Sequence, residues 1–317
     1  MPDTTFRKEA HIIPELLGNK YLVSDFECDN CNILFNKYEN ELANWLGMVR
    51  TILGTPGKNK IPNYKSAKNE ITTETINFRG QRVTMVSKTD KTGNAIKVDN
   101  STGNTTLKYL KQAYVPIKVY KSMLKIALSM ISETDVNDYD EAIKFLLKQE
   151  KDVLFDNFAR MMCHQLPLME FCVNKPHCLL FSKKDDNLKI PKHFFIIKYA
   201  NFMYCFPLPF SKNDIISNSY KGQDENSLSI RVIYPPPILF GKPSGNQSCI
   251  SYNGDFSSYD MITSDEDVLN LEISEDALKN LVSYDETTDE IKPMGSLPTN
   301  IVSLIVGNEK INIPLKN

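Results

Sequence analysis

The residues of this chain best suited to chemistry stand near its start: Glu9-Ala10-His11-Ile12-Ile13-Pro14, then Cys28-Asp29-Asn30-Cys31-Asn32. An imidazole titrates closer to neutral pH than other side chains, so His11 is the group suited to moving a proton. The Ile12-Ile13-Pro14 that follows would bury a strand end and turn the chain, which fixes the direction of the ring. The C-x-x-C spacing lets two thiolates meet one ion, so Cys28 and Cys31 make one half of a zinc knuckle. A plain alternative stands beside each reading: a structural histidine next to a turn, and two buried thiols.

The elements that must hold these residues follow from hydrophobic spacing. Tyr38, Leu42, Trp45, Val49 and Ile52 recur every three to four residues, which predicts a helix ended by Gly54-Thr55-Pro56-Gly57. Lys58 to Leu110 is polar and rich in Thr and Asn, and reads as short strands at Ile76–Phe78, Val83–Val86 and Ile96–Val98, with a turn at Asp90–Gly93. Helical periodicity returns from Pro116 to Ile131, and again over Asp138–Lys148 and Asp152–Met162. Strand signals then dominate, at Cys178–Phe181, His193–Ile197, Phe202–Phe206, Ser229–Ile233 and Ile238–Phe240. An acidic helix near Ser274–Val282 and a strand at Ile301–Val306 complete the chain. The expected class is α+β, with a small N-terminal unit over residues 1–57 and a mixed α+β body over 58–317.

The opening residues resemble the ββα-metal finger of the HNH endonucleases, whose pattern reads E-H-I-I-P, L-G-N-K, C-x-x-C-N-x-x-F-G and E-N. The resemblance covers about the first sixty of the 317 residues. It implies a strand, turn, strand and helix, and phosphodiester hydrolysis in DNA assisted by a divalent metal, Mg²⁺ or Mn²⁺. It makes His11 the general base and Asn32 a ligand of the catalytic metal, with Glu9 as a further ligand. It makes Cys28 and Cys31 ligands of a structural Zn²⁺, complete only if a second C-x-x-C is supplied. Relatives carry that pair about a dozen or more residues before the histidine, so either the chain begins at an internal methionine of a longer protein, the favoured expectation, or the knuckle has decayed. Two positions depart from the family pattern. Ala10 stands where an acidic metal ligand usually precedes the histidine, and Val23 stands where the middle Asn falls, with Ser24 and Asp25 nearby. The family's F-G is Phe35-Asn36 here.

Composition narrows the setting. The chain is 41% hydrophobic and 24% charged, with net charge −2 and no apolar run long enough to span a bilayer. Seven scattered cysteines, an odd number, argue for reduced thiols in the cytoplasm. Between Lys58 and Lys125 there are fourteen Lys/Arg against four Asp/Glu, and between Asp260 and Glu290 eleven Asp/Glu against one Lys. The basic stretch is expected to hold a nucleic-acid backbone through Lys108, Lys111, Lys118 and Lys121, with salt-sensitive affinity. Two solvated faces of opposite charge are the plainer alternative. Cys163-His164, Cys172 and His177-Cys178 are also close in sequence, but their spacings match no common zinc pattern. No glycine loop for nucleotides and no G-x-S-x-G is found. Ala10 and Val23 favour a second reading, a nucleic-acid-binding or scaffolding protein whose finger has lost its chemistry.

Overall fold

The computed structural model describes residues 5–57, 60–78, 81–88, 95–98, 105–152, 156–165, 173–185, 191–200, 202–209, 211–212, 250–271, 282–285, 290–293 and 301–305. Its first strands, β1 (Ala10–His11) and β2 (Val23–Ser24), pair antiparallel with Ala10 opposite Ser24 and His11 opposite Val23. The loop between them is held by Asn19. Its Nδ2 donates to the Ile13 and Leu22 carbonyls (2.7 and 2.9 Å), and its Oδ1 accepts from the Tyr21 and Leu22 N–H groups (3.1 and 3.0 Å). One buried amide thus satisfies four backbone groups of a tight loop.

Helix α1 (Asp29–Leu46) starts where the C-x-x-C starts: Cys28 is its N-cap, and the Cys28 Sγ accepts the Cys31 N–H at 3.5 Å. Asp29, in the first turn, accepts the N–H groups of Arg7 and Lys8 (3.0 and 2.8 Å) and the Thr5 hydroxyl, which fastens the N-terminal segment beside the helix start. The helix buries Phe35, Tyr38, Leu42, Trp45 and Leu46. The periodicity read on to Ile52 is interrupted at Gly47, and α2 (Val49–Ile52) continues it as a separate turn. Gly47 has φ 63° and ψ −143°, a region open essentially to glycine alone, and a Cβ there would stand 2.8 Å from the Tyr109 hydroxyl.

Strands β3 (Tyr64–Lys65), β4 (Ile71–Phe78) and β5 (Gln81–Lys88) come next, followed by β6 (Ile96–Val98) and β7 (Thr105–Leu110). Helices α3 (Pro116–Leu128) and α4 (Asp140–Leu147) follow. Then come β8 (Arg160–Gln165), β9 (Val173–Ser182), β10 (His193–Ala200), β11 (Phe202–Pro207) and β12 (Ile250–Asp255). The last described strands are β13 (Glu266–Leu271), β14 (Val282–Asp285), β15 (Glu290–Pro293) and β16 (Ile301–Ile305). Five strands form an antiparallel sheet in the order β12-β8-β11-β10-β9. Smaller sheets run β13-β7-β6, β16-β5-β4-β3 and β14-β15. The class is α+β.

The helix expected over Asp152–Met162 does not run to Met162. The described part keeps a turn in which the Asp156 N–H donates to the Asp152 carbonyl (2.7 Å), and β8 begins at Arg160. Met161 and Cys163 are fully buried at alternate positions, the period of a strand, and β8 gains ladders on both sides from β11 and β12. The turn at 90–93, the strands at 229–233 and 238–240, and residues 274–281 of the acidic helix lie outside the described residues.

One buried cluster crosses the boundary expected after residue 57. It joins Ile13, Leu17 and the inner face of α1 to α3, α4 and the five-stranded sheet. The Trp45 ring lies 4.8 Å from that of Tyr204 and meets Phe256 edge-on at 5.3 Å. The N-terminal unit is therefore packed into the body rather than appended to it. Among the described residues no helix is long and apolar enough to cross a membrane.

Candidate active-site cleft

Strand alternation sorts the residues around His11. Ala10 turns inward and is 1% exposed, while Glu9 and His11, two apart, both line a polar cleft of about 680 Å³. The opposite wall is the polar side of α1, where Asn32, Asn36 and Asn40 recur every four residues with Glu39 between them. Glu15 and Arg50 also line it. Asn32 Nδ2 donates to the Glu9 carbonyl at 3.3 Å, and Asn36 Nδ2 donates to Asn32 Oδ1 at 3.3 Å, so the Asn32 amide is oriented from both sides. Arg50 Nε donates to the Leu16 carbonyl at 2.8 Å, which fixes the guanidinium against the loop after β1.

The His11 ring is mostly enclosed, at 16% exposure. Nε2 lies 3.6 Å from Glu15 Oε1, and Nδ1 is buried with no hydrogen-bond partner among the described residues. An unsatisfied buried polar atom costs about 1–3 kcal/mol.

At the His11 backbone lies a charged cluster that sequence reasoning misses. Lys125 of α3, 2% exposed, donates to the His11 carbonyl and stands 3.2 Å from Glu27 Oε2 and 3.7 Å from Glu39 Oε1. Burial pushes the Glu39 carboxyl up to about 7, with Lys125 acting against it and Glu27 and Glu15 adding to it. Burial raises Glu27 too, opposed by Lys125 and His11. The folded Glu39 holds its proton more tightly than the unfolded chain does. Its contribution to stability is therefore present in full below its ordinary value of 4.5 and lost as pH rises through about 7. Glu39→Gln is expected to flatten the fall in unfolding free energy between about pH 5 and pH 8, read from urea midpoints. A profile unchanged by the substitution would assign the fall to other groups.

Cys28 and Cys31 lie side by side with their sulfurs 3.3 Å apart. The Cys31 N–H donated to it lowers the Cys28 thiol, while burial pushes Cys31 up to about 11. Among the described residues no three His, Cys, Asp or Glu side chains gather into a metal-binding group. The thiol pair therefore finds no third zinc ligand there. Cys163 and His164 on β8 are separated from His177 and Cys178 on β9 by two intervening strands, so those four do not form one site. Cys172 lies outside the described residues.

The four lysines expected to hold nucleic acid are engaged with the protein itself. Lys108 pairs with Glu266 (2.9 Å) and Lys111 with Asp265 (3.4 Å), the latter ammonium also lying over the Trp45 ring at 5.8 Å. Lys118 stands 3.6 Å from Glu41. Lys121 is 1% exposed, donates to the Lys148 carbonyl and sits 4.3 Å over the Phe145 ring, and burial pulls it down to about 8. The basic and acidic stretches meet because β7 pairs with β13, and at Lys108 and Lys111 they balance each other.

The structure thus brings His11, Asn32 and Glu9 to one cleft and Cys28 and Cys31 to one helix start, and distributes the lysines elsewhere. Glu15 and Arg50 join the cleft unannounced by the motif, and Asn36 and Glu39 join it from motif positions to which no role was given. The four-residue spacing of Asn32, Asn36 and Asn40 is the signal that marks their wall. Comparison with family models, with curated proteins and with solved structures finds no match to this chain.

Proposed function

We propose that this cleft hydrolyses phosphodiester bonds of DNA in the cytoplasm, by chemistry of the HNH type. The observation that carries the reading is the meeting of His11 and Asn32 on one polar cleft, with the His11 ring enclosed and its Nδ1 without a hydrogen-bond partner among the described residues. Nε2 would take the proton from water, with the Glu15 carboxylate 3.6 Å away. Lys8 and Arg50, both lining the cleft, oppose the charge of a bound phosphate.

The donors present suit a hard divalent cation such as Mg²⁺ or Mn²⁺. That ion takes oxygen ligands and is held by one or two carboxylates together with water and substrate phosphate. Glu9 and the Asn32 amide oxygen would hold it, and its chemistry there is neutralisation of charge on the phosphate and leaving oxygen.

The test is conversion of supercoiled plasmid to nicked or linear DNA by the purified chain with Mg²⁺ or Mn²⁺, lost on adding EDTA. Intact plasmid with protein in excess and metal present would end the hydrolytic reading. Retention of uncut DNA in the same experiment would favour a binding protein, the reading that the inward, ligand-free Ala10 supports.

A further inference from the structure

The two sulfurs at the start of α1 have a use that needs no metal. They are 3.3 Å apart, and both residues are partly exposed. A disulfide requires about 2.0 Å, so closure needs only a short approach within a side-chain pair already in contact. The separation is set by the helix itself, because the Cys31 N–H caps on the Cys28 Sγ at the end of an eighteen-residue helix. Among the other described cysteines, Cys163 and Cys205 are fully buried in the sheet.

We propose that Cys28 and Cys31 form a reversible dithiol–disulfide pair that exchanges with low-molecular-weight disulfides. The Cys28 thiolate attacks one sulfur of the small disulfide and expels the other as a thiolate, leaving a mixed disulfide on Cys28. The Cys31 thiol, giving up its proton, then attacks the Cys28 Sγ and expels the second small thiolate. The two protein thiols are oxidised, one small disulfide is reduced to two thiols, and the two protons pass from the cysteines to the leaving groups. The ring closed spans only four residues and removes little chain entropy, which suits a bond that opens again rather than a structural staple. This pair stands independently of the nuclease reading.

The full chain is incubated with mixtures of glutathione and glutathione disulfide, quenched in acid, alkylated with N-ethylmaleimide and mapped by peptide mass spectrometry. Cys28 and Cys31 are expected to leave the alkylated pool together as one intramolecular disulfide and to return with dithiothreitol. Cys31→Ser is expected to stop at a glutathione adduct on Cys28. Both cysteines still alkylated under excess glutathione disulfide, or each carrying its own glutathione, would overturn the proposal. So would equimolar zinc that protects the wild-type pair from oxidation and is lost on Cys28→Ser. No nucleic acid enters the measurement, so it succeeds or fails separately from the cleavage assay.

Discussion

His11→Ala is expected to lower metal-dependent DNA cleavage by about 10²–10⁴-fold, the usual contribution of a positioned general base. DNA affinity should barely move, because the charges facing a phosphate come from Lys8 and Arg50. Folding should also be little affected, since among the described residues the ring leaves one buried nitrogen unsatisfied and its removal abandons no good hydrogen bond. Asn32→Ala should slow cleavage as well, but raising Mg²⁺ or Mn²⁺ should restore part of the rate, because that change weakens metal holding and leaves proton transfer intact. An His11→Ala protein that cuts at the wild-type rate would move the active site elsewhere in the chain.

Lys125→Met should cost about 3–5 kcal/mol of stability near pH 8, the loss expected when one member of a buried ionic group is removed and the others stay. The residues left behind are Glu27 and Glu39, both enclosed, and the His11 carbonyl loses its donor. The deficit should shrink toward pH 5, where both carboxyls take up protons more readily than ordinary ones. Adding Glu27→Gln and Glu39→Gln to the same chain should recover much of the loss, a coupling that urea denaturation of the variants measures directly. A loss below about 1 kcal/mol would mean that water reaches the carboxylates and that the group is not truly buried.

The part of the site that sequence makes legible is the part written in neighbouring residues. His11 two places after Glu9 on a strand, and Cys28 three places before Cys31 at a helix start, are local facts. Their geometry follows from strand alternation and helical capping. The Asn32-Asn36-Asn40 wall is equally local, yet it is overshadowed by the apolar stripe of the same helix, which is the stronger periodic signal. The Lys125 cluster is not legible at all, because a lysine on α3 is assigned to solvent until α1 and α3 are seen packed together. The charge blocks show the same limit. Composition reports an excess of lysine in one stretch and of acid in another, and only the register of β7 against β13 shows that Lys108 faces Glu266. β8 is misread because a six-residue strand buried at Met161, Cys163 and His164 carries too few residues, and too irregular a pattern, to separate its period from a helical one.

The pairing of β7 with β13 also sets the order in which the chain can be assembled. Residues 105–110 emerge from the ribosome long before their partner at 266–271, and Trp45 waits likewise for Tyr204 and Phe256. Contacts so distant in sequence close slowly, because the entropy of a long loop is lost before the contact returns anything. During synthesis α3 can cover most of the apolar side of α1 early, but its Trp45 end stands uncovered until Tyr204 and Phe256 are made, the condition in which nascent chains associate with one another. Completion of the N-terminal fold is in this sense an event of the C-terminal half.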